Sequence, residues 1–210
     1  MKAGDSMVQL SEDILHKVIK KRPEISHKGT FGRVVLIGGN QQYGGAIIMS
    51  AEACIKSGAG LTTVITAEKN HSALHARLPE AMVLAFWETT MIYQVLEQAD
   101  VILIGPGLGL DKTAITLLKG VLKTQKAQQW LVIDGSAISL FSEYNLSLKF
   151  PSQTVFTPHQ AEWERLSGLS FLEQTDENNR AQQALIGAKI VLKSHRTTIY
   201  DCLLYTSDAA

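Results

Sequence analysis

The chain has 210 residues, 45% of them hydrophobic and 19% charged, enough for one domain with a substantial core. Its formal net charge is zero, which gives no pull toward nucleic acid or an anionic membrane surface. No apolar run reaches transmembrane length and residues 1–17 lack a signal-peptide apolar region, and the two cysteines, Cys54 and Cys202, build no disulfide framework. A reducing cytoplasm is the expected setting.

Residues 1–27 read as a leader. Ser11 is placed to cap a helix whose first turn carries Glu12 and Asp13, and Ile14, Leu15, Val18 and Ile19 form an apolar stripe, predicting an outer helix that leads into a sheet; a solvated arm is the other reading. The organising stretch is 28–66. A β-branched run, Val34-Val35-Leu36-Ile37, stops at Gly38-Gly39. A polar loop with Tyr43 reaches Gly44-Gly45, a helix is predicted over 46–56, and Leu61 opens a second strand to Thr66. Strand, glycine loop, helix and strand make a βαβ unit, whose first loop lies at the strand's carboxyl end, where open α/β sheets hold ligands.

Farther on, Asn70 is placed to cap a short helix ending near Arg77 and Pro79, and 82–86 reads as a short buried strand. A helix over 91–98 turns Ile92, Val95 and Leu96 inward. Val101-Ile102-Leu103-Ile104 is apolar throughout, as expected of a strand buried on both faces. It ends in Gly105-Pro106-Gly107-Leu108-Gly109, followed by a helix over 112–123 with Ile115, Leu118 and Leu122 inside. Another buried strand over 130–133 ends at Asp134-Gly135-Ser136, before a short helix over 137–141. Thr154-Val155-Phe156 is a strand, and Thr157-Pro158 opens a helix carrying His159, Glu162, Trp163 and Leu166. Thr175 or Asp176 caps a helix carrying Ala181, Ala184, Leu185 and Ile186, stopped by Gly187. A strand over 188–192 and one over 197–200 form a hairpin. This alternation predicts a doubly wound, mostly parallel sheet.

Gly39 and Gly44 have P-loop glycine spacing, but Gly45 and Ala46 stand where Lys and Ser/Thr must follow, which excludes a Walker A loop. The run from Gly105 to Gly109 departs from the dinucleotide fingerprint. Both loops are expected to offer bare backbone N–H groups to a ligand near helix N-termini. Asp134, at a strand end, can bind a hydroxyl or hydrated Mg²⁺, or cap the next helix. His159 and Glu162 share a helix face and could orient a substrate and a metal-bound water. His71 and His75 lack partners for a zinc site and read as surface. Lys193, Ser194, His195, Arg196 and Thr197 form either a plain turn or a phosphate clamp.

Together, KGTFGRVVLIGG, YGGAIIMSAEACIKSGAGL, LPEAM, IGPGLG, VIDGSAI, FTPHQAEWERLSG and VLKSHRTTIYD resemble the ATP/ADP-dependent NAD(P)H-hydrate dehydratase family of the ribokinase-like fold, over residues 28–201. The resemblance implies repair of the S-epimer of hydrated NADH or NADPH, with ADP or ATP hydrolysed and Mg²⁺ present. It implies that Ala46, Gly107 and His159 line the hydrate site, that Lys193, Ser194, His195, Arg196 and Thr197 hold the adenine nucleotide, and that Asp134 and Glu162 play secondary roles. It also implies a homo-oligomer, typically a tetramer, and a separate epimerase. Two departures stand out. Gly135-Ser136 replaces Ala-Asp in the family's Asp-Ala-Asp, and the glycine-rich GTGD-like segment that carries the family's general base is not found. Residues 202–210 instead read as the translation of a transposon sequencing adapter, so they are expected to be read-through, with the complete product active and this chain inactive or nearly so. A ribokinase-like kinase of a small vitamin precursor, a non-catalytic nucleotide-binding module and a poorly folding fragment are the competing readings.

Overall fold

The computed structural model describes residues 11–19 and 21–201; the expected read-through of 202–210 lies outside them. Among the described residues, eight strands form one sheet in the order β3-β2-β1-β4-β5-β6-β7-β8. They are β1 Arg33–Ile37, β2 Leu61–Thr66, β3 Met82–Ala85, β4 Val101–Ile104, β5 Trp130–Ile133, β6 Thr154–Phe156, β7 Lys189–Leu192 and β8 Thr198–Tyr200. All neighbours pair in parallel except β7 and β8, which form the expected hairpin. The helices are α1 Asp13–Val18, α2 Gly44–Lys56, α3 His71–Arg77, α4 Thr89–Gln98, α5 Lys112–Thr124, α6 Ser136–Glu143, α7 Gln160–Ser167 and α8 Asp176–Ile186. None is long and apolar enough to cross a membrane.

Strand periodicity sorts the core into two layers. Val35, Ile37, Ile65, Ile102, Ile104, Leu131, Ile133, Phe156 and Ile190 face α4 to α7. Leu36 and Val64, on the opposite face, pack with Ile47 and Ala51 of α2 and Leu74 of α3. The sheet therefore has helices on both faces, as expected. Glu52 pairs with Lys56 within α2 at 2.7 Å and ties α2 to α3 through Arg77 at 2.6 Å, and these cations hold its carboxyl below the usual range.

Coverage of the second face stops partway across. On the side away from α4–α7, Val132, Val155 and Val191 are half-buried and Trp130 and Ile199 are exposed. Strand β4 thus alternates in burial instead of being buried on both faces as its apolar sequence predicts, and β5 alternates too: Ile102, Ile104, Leu131 and Ile133 are inside, while Val101, Leu103 and Val132 are half-covered. Strand β3 is likewise half-exposed, because its outer edge is unpaired and Met82 stands out into solvent.

Two helix readings also change, and α8 has a polar inner face. The α1 cap falls on Glu12 rather than Ser11, and Ile14, Leu15, Val18 and Ile19 are all exposed, so the stripe does not enter the core. The buried face of α8 is polar: Leu185 is exposed while Asn179 and Gln183 are buried. Trp163 Nε1 donates to Asn179 Oδ1 at 2.7 Å, and Asn179 Nδ2 donates to the Tyr200 hydroxyl at 3.2 Å. Burial pushes the Tyr200 pKa up, keeping that hydroxyl protonated. Finally, α7 begins after His159, so Pro158 precedes the cap instead of occupying the first helical position.

Candidate active site

Strands β1, β2 and β3 run outward on one side of the sheet, and β4 returns beside β1 to start the march the other way. The crevice between β1 and β4 is the switch point where open α/β sheets take ligands. The loops after these two strands meet there. Gly39 N–H donates to Pro106 O at 2.8 Å and Asn40 N–H to Gly107 O at 2.7 Å. Asn40 Oδ1 accepts from the N–H groups of Gln42 and Tyr43, both at 2.9 Å. The expectation of bare N–H groups along both loops is therefore corrected: most are already bonded, two across to the other loop and the rest to neighbouring strands, the Asn40 side chain, their own loop or Ser136. The start of α2 is different, since Tyr43 at its N-cap position supplies no side-chain cap. Gly107, with φ of +61°, lies against Tyr43 and Ala46; a Cβ on it would stand 3.3 Å from the Ala46 methyl. Ala46 and Gly107 thus form one wall, with no room for a side chain between them.

Gly105, with φ of +128°, carries the wall to β5, for any Cβ there would collide with the Asp134 carbonyl. Asp134 does not cap α6; Gly135 holds that position without a side-chain bond. The Asp134 carboxylate instead accepts from Thr157 Oγ1 at 2.6 Å and Lys193 Nζ at 2.8 Å. These three residues end β5, β6 and β7, so one carboxylate staples three strand ends. Thr157 was not singled out from the sequence: a threonine before Pro158 looks like turn chemistry, and only the register of β5 against β6 sets it opposite Asp134.

His159 and Glu162 come next. His159 pairs in a parallel bridge with Lys193, and Lys193 N–H donates to Pro158 O at 2.8 Å. The two residues are joined by a capping box instead of merely sharing a helix face. His159 Nδ1 accepts from Ala161 N–H at 3.1 Å and Glu162 N–H at 3.3 Å, while Glu162 Oε2 accepts from His159 N–H at 2.9 Å. An accepting Nδ1 places the neutral ring's proton on Nε2, which lies 3.5 Å from Glu162 Oε1. Glu162 is buried and the imidazole is half outside, so the ring edge sits beside a sequestered acid.

The segment after β7 is an exposed turn. Ser194 Oγ donates to Arg196 O at 2.6 Å and accepts from Arg196 N–H at 3.2 Å, leaving the side chains of His195, Arg196 and Thr197 in solvent. The structure therefore brings Asp134, Lys193, His159 and Glu162 together and sets Ala46 and Gly107 beside one another along the same carboxyl edge; Ser194 to Thr197 rim its far end. His75 is exposed, as expected, but His71 is half-buried.

The sequence model of a family described as NAD(P)H-hydrate dehydratase matches residues 34–203. A protein of Enterococcus faecalis named ADP-dependent (S)-NAD(P)H-hydrate dehydratase is 66% identical over 92% of this chain and 67% of its own length. A Lactococcus lactis protein of the same name is 52% identical over 92% of this chain and 70% of its own. The chain thus spans roughly two thirds of the length of these relatives. The crystal structure of a ribokinase-like superfamily protein from Enterococcus faecalis superposes with a TM-score of 0.91 at 66% identity, covering 92% of this chain and 68% of that one. The sheet, its switch point and these matches agree: the fold is ribokinase-like, and the chain belongs to the NAD(P)H-hydrate dehydratase family.

Proposed function

We propose that this chain takes part in ADP-dependent dehydration of (S)-NADH-hydrate or (S)-NADPH-hydrate, a repair of the reduced nicotinamide ring. In this reading Ala46, Gly107 and His159 line the hydrate site, and Lys193, Ser194, His195, Arg196 and Thr197 hold the adenine nucleotide. The terminal phosphate of ADP passes to the ring hydroxyl and AMP leaves. The C–O bond then breaks, phosphate departs with the bonding electrons, and loss of a proton from the adjacent carbon restores the ring double bond. The observation that carries the reading is the continuity of the edge: the close Ala46–Gly107 wall, suited to a flat ring, runs through Gly105 into the charged Asp134–Lys193 pair beside His159, suited to phosphate.

Mg²⁺ fits this edge as a companion of the polyphosphate. It keeps most of its waters and needs only one or two carboxylates; Asp134 and Glu162 are the ones present, and no group of three acidic, His or Cys residues forms a cage among the described residues. When bound it neutralises phosphate charge. Lys193 would then exchange its bond to Asp134 for one to a phosphate oxygen, and the neutral His159 would offer its Nε2–H. We further propose a cytoplasmic setting and a homo-oligomeric assembly.

Thermal melts with ligand test the reading, because binding to the folded state raises the midpoint. NADPH and Mg·ADP are each expected to raise it, and jointly by more than either alone. A rise with Mg·ADP and none with NADPH would favour the kinase of a small alcohol instead. Return of reduced-nicotinamide absorbance from hydrated NADH, dependent on ADP, is the direct assay of turnover.

A further inference from the structure

Asn70 closes the three-residue turn before α3 and has the look of a helix cap. It does not act as one: its backbone is helical, and its side chain makes no bond to the first turn of α3. The side chain is turned into the protein, 8% exposed, and its amide does three things. Nδ2 donates to Gly39 O at 2.8 Å, to Thr66 Oγ1 at 2.9 Å and to Asn40 O at 3.2 Å. Thr66 Oγ1 donates in turn to Gly39 O at 2.8 Å, and Ala67 N–H reaches the same carbonyl at 3.0 Å.

The Gly39 carbonyl therefore receives three donors, where one would satisfy it. The opposite side of the same loop is held by the bonds from Gly39 and Asn40 to Pro106 and Gly107. A glycine loop that would otherwise be free to move is clamped from both flanks, and the amide of Asn70 is the clamp on one of them. The same side chain also sets where α2 begins. A Cβ on Gly44, the first residue of α2, would collide with the Asn70 amide, so helix start and amide are in van der Waals contact. Two residues on, Ala46 meets Gly107.

From this chain of contacts we infer that Asn70 is a positioning residue for the nicotinamide half of the site, fixing the loop after β1 and the start of α2 so that Ala46 and Gly107 keep their spacing. The inference rests on the assignment of that wall to the nicotinamide ring under Proposed function. A buried amide that gives up its capping role costs its own helix stability, and the geometry it maintains lies in the loop after β1 and the start of α2.

Asn70→Asp tests it by keeping the shape while replacing the Nδ2 donor with an oxygen facing two carbonyls. Calorimetric binding to the purified chain is expected to show NADPH affinity falling by about tenfold or more, with Mg·ADP affinity held within about twofold. Hydrogen exchange is expected to quicken over residues 38–46 while the β4 amides stay protected. Should the Asp variant not fold, Gly44→Ala serves instead. Alanine normally favours a helix over glycine, but here its methyl drives the amide away, so the same ligand split is expected. Adding Gly44→Ala to Asn70→Ala should then cost little more than Asn70→Ala alone. Equal loss of both ligands, or NADPH affinity within about twofold of the parent protein in each variant, would overturn the inference and leave Asn70 a purely structural residue. A parent protein that binds Mg·ADP but no NADPH would instead bring down the functional reading, and this inference with it.

Discussion

His159 carries two roles on two nitrogens. Nδ1 caps α7, and Nε2 lies 3.5 Å from Glu162 Oε1. The roles can be separated by substitution. Asn is among the best N-cap residues and would keep the bonds to the first turn, whereas Ala keeps neither role. His159→Asn is expected to melt within about 0.5 kcal/mol of the parent and His159→Ala to lose about 1 kcal/mol, measured by urea denaturation. Both should bind NADPH more weakly, because both lack the imidazole. If Asn restored ligand binding as well as stability, the ring would have no part in the site. The sequence placed His159 and Glu162 together at the right spacing, but a helix face and a capping box look alike at three residues apart. What distinguishes them is where the helix starts, and Pro158 suggested a start two residues too early.

Among the elements, strands and turns were legible and buried faces were not always so. β-branched runs bounded by glycine located β1, β2 and β4, and Gly168 and Gly187, with φ of +76° and +74°, end α7 and α8 as left-handed caps. Helix α8 was legible as a helix, but its inward face, being polar, was not. Periodicity arguments search for apolar stripes, and a stripe of Asn179 and Gln183 can be recognised only when Trp163 and Tyr200 are seen waiting for it across the gap. Both bonds lie away from solvent, so removing the amide leaves a buried indole N–H without an acceptor. Asn179→Ala is expected to destabilise the chain by about 2 kcal/mol in denaturant titration. A loss below about 0.5 kcal/mol would mean that water replaces the amide and that the network is decorative. Asn70 escaped for a related reason: its position before a helix offered a sufficient local explanation, and its true partners, Gly39 and Asn40, are remote in sequence.

For the molecule as a whole, the alternation of strands and helices predicted a doubly wound parallel sheet, and the sheet is one. Strand order was not legible, because nothing local tells β4 to return beside β1; right-handed crossovers and the covering of both faces of the central strands decide it. Nor was the end of coverage legible. The apolar sequence of β4 promised burial on both faces, yet the second layer, α2 and α3, serves the β1–β3 side and reaches β4 only at half-buried Leu103.

That lopsided coverage grades the molecule in time as well as in space. An amide exchanges with solvent when its strand opens, and opening is easiest where little apolar surface must be bared. Strands β1 and β4 are flanked by strands on both sides, whereas β8 is a three-residue edge strand whose outward Ile199 already stands in water. In deuterated buffer, the slowest labelling is expected in β1 and β4, with β7 and β8 labelling first through openings well short of global unfolding. Uniform labelling across all strands would show a single cooperative unit. If the order holds, the hairpin that carries Lys193 and its turn is the first part of the sheet to breathe, while the Gly39–Gly107 clasp at the other end of the same site is among the last.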